Sequence, residues 1–326
     1  MKPKVAIGSL GGTIGMISES KSRGIAPKLD AKDFVGMLNG IDNVVQLYGE
    51  SLFNLPSGHL KFEILLQSIQ WAVKQVENGA SGVILTQGTD TLEESAFFCE
   101  LFWDKPEPLI LMGAMRGHEE IGAEGMRNLY CSILCAISPN SRDRGVMIVM
   151  NDKIHMARWA RKSHSLSVDA FCSGGKNYGF IAEGKVEYFY PAIKRMVLPK
   201  PSTCEKKIFL WEQTLSGDAR VLEWIEDYQD GLVISGFGAG HVDIETNRLI
   251  GSIVQKIPVV ICTGTTDGPT VYNTYGYEGA EIGLIKSGVI MGGYLSAKKA
   301  RILLWAIVNN GLDIEIFKDY SKMLVC

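Results

Sequence analysis

Val5-Ala6-Ile7-Gly8-Ser9-Leu10-Gly11-Gly12-Thr13 begins as a short apolar run and breaks on paired glycines. The run reads as a strand. Glycines directly after a strand let the backbone turn tightly and approach a ligand, because no Cβ stands in the way. The threonine hydroxyl then sits at the carboxyl end of the strand, where open parallel sheets bind their ligands. From this turn alone Thr13 reads as a nucleophile, a ligand-binding hydroxyl or a helix cap.

The same rhythm recurs along the chain. Gly82 to Thr86 does not alternate and reads as a strand buried on both faces. It ends in Gln87-Gly88-Thr89-Asp90-Thr91, with Glu93 and Glu94 in the first helical turn, where the helix dipole favours carboxylates. Val44 to Phe53 contains a strand, and Phe62, Leu65, Leu66, Ile69, Val73 and Val76 trace one face of a helix. Leu109 to Met112 runs into Gly113-Ala114, and Arg144 to Met150 leads through Asn151-Asp152 towards Arg161-Lys162-Ser163. Residues 17–30 are polar and aperiodic, with Gly24 and Pro27, and read as a structureless lid beside the first turn. Asp30 is placed to cap a short helix to Leu38.

Tyr188 to Lys207 is rich in Pro and Lys and loses the pattern, as a linker does. Beyond it the rhythm resumes. Leu232 to Ser235, Pro258 to Cys262 and Val289 to Met291 each precede a glycine turn, and a helix carries Ala300, Leu303, Leu304 and Ile307. The expected fold is α/β, with a large N-terminal parallel-sheet domain (1–190), a linker (191–207) and a smaller C-terminal parallel α/β domain (208–326).

Composition narrows the function classes. The 326 residues are 46% apolar and 21% charged, ordinary values for a soluble globular chain. A net charge of -3 gives no basic footprint for nucleic acid. No stretch of ~20 apolar residues runs without charge or Gly/Pro, so no membrane span is expected. The first strand starts almost at once, which leaves no room for a signal peptide and points to the cytoplasm. Seven scattered cysteines suit reduced core thiols, and neither they nor the five histidines show metal-ligand spacing. No metal or cofactor is expected.

Three Gly-Thr turns compete for the chemistry: Gly12-Thr13, Gly88-Thr89 and Gly264-Thr265. Spacing does not rank them. A threonine attacks only with a base beside it, and Lys or Asp must supply one because no Ser-His-Asp or Cys-His arrangement stands out. Lys162 is a candidate, being followed by Ser163-His164-Ser165 and not by a run of charge. A lysine is a base only when neutral, a form that burial favours. The glycines fit neither GxGxxG nor GxxxxGK[ST], which sets nucleotide binding aside.

Read in order, GGTIGM (11–16), TQGTDTLEESA (86–96), MGAMR (112–116), GVMIVMND (145–152) with Lys162 after it, and LSAKKARILL (295–304) resemble the bacterial-type (type I/II) L-asparaginase family. The match is most like its cytoplasmic members. The resemblance implies hydrolysis of L-asparagine to L-aspartate and ammonia, with glutamine or D-asparagine as side substrates. It implies that Thr13 forms the acyl-enzyme and that Thr89, Asp90 and Lys162 are the second catalytic group. Gly12, Ser57, Gly58, Gly88, Thr89, Asp90 and Ala114 would line a small amide amino acid. It further implies a homodimer or homotetramer, with no nucleic-acid or membrane partner.

The chain departs from the family where a lid tyrosine is usual, because Gly24-Ile25-Ala26-Pro27 has no hydroxyl there. Tyr275 or Tyr277 is the expected substitute for orienting the nucleophile. Ala239 replaces an asparagine of periplasmic members, and Gln87 stands where many relatives have His. Two other readings stay open in the sequence: an amino-acid sensor on the same fold, and the amidase subunit of a tRNA-dependent amidotransferase.

Overall fold

The computed structural model describes residues 2–12, 16–20, 24–27, 41–175 and 177–324, with the backbone alone over 16–20 and 24–27 and at position 42. Thr13, the side chain of Ile25 and the expected helix from Asp30 to Leu38 lie outside the described residues. Two compact units divide the chain, one reaching Val197 and the other starting at Leu198.

The first unit is built on β1 (Lys4–Ser9), after which β2 (Met16–Ser20) and β3 (Gly24–Pro27) pair antiparallel with each other. Within the stretch expected to be structureless, residues 17–20 and 24–27 are therefore paired strand. These strands are too brief to show a period. Next come β4 (Gln46–Ser51), β5 (Gly82–Thr86), β6 (Leu109–Met112), β7 (Val146–Met150) and β8 (Lys153–Met156). The remaining strands are β9 (Arg161–Lys162), β10 (Phe171–Cys172), β11 (Gly179–Ala182) and β12 (Lys185–Tyr188).

Eight of them form one sheet in the order β12-β11-β8-β7-β6-β5-β1-β4. From β4 to β7 every pairing is parallel, as expected for this unit. β8, β11 and β12 extend the sheet antiparallel, so the whole is mixed. Strand β1 lies one in from the edge, between β4 and β5, where the strand order reverses, and such a reversal opens a crevice at the carboxyl ends.

Helices α1 (Phe62–Glu77), α2 (Leu92–Phe102) and α3 (Gly125–Ile137) cover the sheet. Leu129, Ile133 and Ala136 of α3 close a core with Val5, Ile7, Ile84, Ile110 and Met147. Alternate strand residues such as Val83, Leu111 and Ile148 are equally buried. Burial on both sides explains why these strands read as unbroken apolar runs.

The second unit has a four-stranded parallel sheet, β13 (Ile208–Glu212), β14 (Gly231–Gly236), β15 (Val259–Thr263) and β16 (Ile290–Met291), in that order. Besides a single turn at Ile225–Tyr228, its described helices are α4 (Ile244–Ile253), α5 (Glu281–Lys286), α6 (Ala297–Asn309) and α7 (Glu315–Met323). Asp243 caps α4 by accepting the Thr246 N–H at 2.8 Å. Leu232, Ile234, Ile250, Ile261 and Leu284 form its core. Among the described residues no helix is long and apolar enough to cross a membrane.

Candidate active site

The glycine turns after β1, β5 and β6 meet at one end of the first sheet. Gly11 and Gly12 hold φ of 109° and 96°, in the left-handed region that only glycine adopts without strain. A Cβ on Gly12 would lie 2.1 Å from the Gly88 nitrogen, and one on Gly11 would lie 2.5 Å from the Leu55 carbonyl oxygen. The first turn is therefore pressed against the second. A Cβ on Gly88 would meet Ser57 Oγ at 2.9 Å, and one on Gly113 would meet Thr89 Cγ2 at 3.0 Å. Backbone bonds hold the same convergence: Leu10 N–H donates to Thr86 O (2.8 Å), Leu55 N–H to Leu10 O (3.0 Å) and Gln87 N–H to Met112 O (3.0 Å).

Thr89 to Thr91 form a tight turn that runs straight into α2. Thr91 Oγ1 donates to Ser57 O at 3.1 Å, which ties this turn to the segment after β4. Thr89 and Ser57 are buried, Ala114 is fully enclosed, and a side chain at Gly58 would meet open space. These small groups gather at the strand ends, with open space beside Gly58.

Lys162 reaches this turn from far along the chain. Its Nζ donates to Thr89 Oγ1 at 2.9 Å and to Asp90 Oδ1 at 2.6 Å. The lysine side chain is 15% exposed and the Asp90 side chain 77% exposed, so the pair has one shielded and one open end. Asp90 can thus face a solute while Lys162 stays with Thr89. A threonine oxygen in contact with a shielded lysine nitrogen is equipped for proton transfer.

Three of the expected residues, Thr89, Asp90 and Lys162, are brought together directly, and Gly12, Ser57, Gly58, Gly88 and Ala114 stand at the same strand ends. The Gly264-Thr265 turn belongs to the second unit, where Thr265 Oγ1 donates to Asp267 O within its own turn at 2.8 Å. Its hydroxyl is committed locally, as short Thr turns usually are.

Asn128 escaped the sequence reading altogether, and of Glu93 and Gln87 the sequence showed the position but not the partners. Asn128 on α3 is fully buried; its Nδ2 donates to Gly113 O (3.0 Å) and its Oδ1 accepts Asn151 N–H (2.9 Å), fixing the turns after β6 and β7. The signal was a lone amide on the apolar face of a helix, which core burial tolerates only with partners. Glu93 accepts the Lys162 N–H at 2.9 Å. Gln87 is buried as well, and its Nε2 donates to Gly88 O and Thr91 Oγ1 at 3.2 and 3.3 Å.

In the second unit Tyr275 and Tyr277 form a cluster with His241. Tyr277 Oη and His241 Nδ1 are 2.7 Å apart, and His241 Nε2 lies 3.2 Å from Glu281 Oε2. Glu281 Oε1 accepts the N–H groups of Thr274 and Tyr275, each at 2.6 Å. Burial raises the Glu281 pKa, but the backbone N–H bonds outweigh it and hold the carboxyl below its usual range. The Tyr275 ring meets His241 edge-on at 5.0 Å.

Residues 4–194 match the sequence profile of the asparaginase N-terminal domain, and residues 207–320 that of the glutaminase/asparaginase C-terminal domain. A probable L-asparaginase of Deinococcus radiodurans is 32% identical, the alignment covering 96% of this chain and 95% of that protein. An L-asparaginase of Bacillus licheniformis is 31% identical, with 93% and 95% covered. Among solved structures, a probable cytoplasmic L-asparaginase from Campylobacter jejuni superposes with a TM-score of 0.87 at 27% identity, covering 99% of this chain and 100% of that one.

Proposed function

Because this chain belongs to the asparaginase family, we propose that it hydrolyses the side-chain amide of L-asparagine to L-aspartate and ammonia through an acyl-threonine intermediate on Thr13. The observation that carries the reading is the contact of Lys162 Nζ with Thr89 Oγ1 and Asp90 Oδ1, beside the turn against which Gly12 is packed. Relatives named as asparaginases match nearly the whole chain, which favours neither a sensor nor an amidotransferase subunit.

In the first half-reaction the Thr13 hydroxyl attacks the amide carbon. Its proton goes to the leaving nitrogen, and ammonia departs to leave an ester. In the second, water attacks the ester carbonyl; Thr89 takes the water's proton while its own hydroxyl proton passes to the Thr13 oxygen as the ester breaks, and Lys162 beside it eases the loss of that proton. Backbone N–H groups of the two Gly-Thr turns stabilise the oxyanion, an effect worth about 3–4 kcal/mol per donor. Asp90 holds the substrate's ammonium group and Ser57 its carboxylate, with Gly12, Gly88 and Ala114 beside them and open space at Gly58.

The hydroxyl that orients Thr13 comes, in this reading, from Tyr275 or Tyr277. The protein works as a homodimer or homotetramer in the cytoplasm. Ammonia release from asparagine, glutamine and D-asparagine, measured beside a Thr13→Ala control, tests the assignment. Release from asparagine that the control lacks is the expected result. Tight binding of asparagine without release overturns it.

A further inference from the structure

The geometry points to a clamp on α2, formed by Glu93 and the Glu100–Arg158 pair, that positions Lys162 for Thr89; this rests on the hydrolase reading above. Glu93 and Glu100 are seven residues apart, two turns along one helix, and so share a face. Glu100 Oε1 accepts from Arg158 Nε at 2.7 Å and also from its Nη2, and both side chains are almost fully buried. Four residues on, Glu93 Oε2 accepts the Lys162 backbone N–H at 2.9 Å. The helix therefore grips the 158–162 segment at both ends.

That grip has a specific consequence for the chemistry. Lys162 lies on β9, which pairs with the two-residue strand β10 and takes no place in the eight-stranded sheet. Thr89 and Asp90, the groups its Nζ meets, sit in the tight turn that runs directly into α2. Both ends of the Lys–Thr contact are thus tied to α2, one through this turn and the other through Glu93. A buried Glu–Arg pair is a poor choice for packing alone, because desolvating two charges offsets most of their attraction. It does fix one register of the segment against the helix. A lysine has four rotatable side-chain bonds, so anchoring its backbone is what limits where its nitrogen can go. Glu93 is accordingly a positioning residue.

Steady-state ammonia release by the full chain tests the clamp, with melting temperatures recorded for each variant. Glu93→Leu is expected to lower kcat about tenfold or more with KM changed by less than about threefold. Glu93→Gln keeps an oxygen that accepts the Lys162 N–H and is expected to stay within about threefold of the parent. Glu94→Leu, in the same helical turn, controls for lost stability and lost helix-dipole charge. An undiminished kcat in Glu93→Leu, an equal loss in Glu94→Leu, or a Glu93→Gln as impaired as Glu93→Leu overturns the proposal. A parent protein that releases no ammonia from asparagine overturns the hydrolase reading instead. The crystal structure of Glu93→Leu then decides the clamp separately, by whether Lys162 Nζ has left hydrogen-bond distance of Thr89 Oγ1.

Discussion

Replacing Gly12 with alanine would place a methyl group 2.1 Å from the Gly88 nitrogen, on a backbone held at φ 96°. The left-handed region alone costs a side chain roughly 1–2 kcal/mol, and backbone on the far side leaves no soft neighbour to yield. Gly12→Ala is expected to separate the two turns and lower ammonia release about a hundredfold, the scale of loss that a shift of about 1 Å brings. A second residue makes stability depend on pH on the acid side. His155 is buried, its Nδ1 is 2.7 Å from Ser173 Oγ, and burial, helped by the Lys153 ammonium, pushes its pKa down to about 4. The unfolded chain takes up this proton near pH 6.5 and the folded chain only near pH 4. Stability therefore falls as pH drops through that window, by about 3 kcal/mol from this group, and is unaffected by it at higher pH. His155→Gln is expected to flatten the pH dependence of the urea midpoint between about pH 6.5 and 4. At this scale the glycines and Thr89, Asp90 and Lys162 were legible from motif text, but the Lys162–Thr89 contact spans 73 positions and no local spacing encodes it. Asn128 stayed hidden, and Glu93 read only as a helix-dipole carboxylate, because a buried polar residue declares itself only through partners that folding supplies.

Among elements, legibility followed periodicity. The apolar spacing of α1 gave its face, and Leu65, Leu66 and Ile69 are buried as that spacing requires. α2 has no such stripe: from Ser95 to Phe102 every residue is buried, because the helix is covered on all sides. The antiparallel extension was missed at Asn151-Asp152. These two residues adopt φ of 49° and 61° and join β7 to β8 as a two-residue hairpin, which needs positive φ at both central positions. An Asn-Asp pair between apolar runs is a recognisable form of that turn, and reading it so would have reversed the chain there. Asn151→Ala removes the residue type that tolerates this conformation and is expected to destabilise the protein by about 1 kcal/mol. Urea denaturation reads that shift. Activity should change little, because the N–H of residue 151 still reaches Asn128 Oδ1.

For the molecule as a whole, the open matter is where the hydroxyl that orients Thr13 originates, since position 25 is isoleucine. The cluster in the second unit favours Tyr277 over Tyr275 because the Tyr277 hydroxyl is the one bonded to His241, whose ring Tyr275 meets edge-on. Glu281 accepts two backbone N–H groups and faces His241 Nε2, which holds the imidazole in place. His241 Nδ1 in turn lies 2.7 Å from Tyr277 Oη, on a residue 54% exposed. A phenol held by an imidazole is suited to orient a threonine hydroxyl. Tyr277→Phe is expected to lower kcat at least about tenfold with little change in KM, and Tyr275→Phe to leave both near the parent values. Whether the donor and the nucleophile belong to one copy or to two of the proposed homo-oligomer has a direct test. Thr13→Ala and Tyr277→Phe chains, each impaired alone, are unfolded together and refolded as a mixture. Recovered ammonia release shows that one copy's Tyr277 serves another copy's Thr13. A mixture no more active than its parts, from chains that do co-assemble, confines the pair to a single copy. Full turnover by the variant with both tyrosines changed to phenylalanine removes them from the reaction altogether.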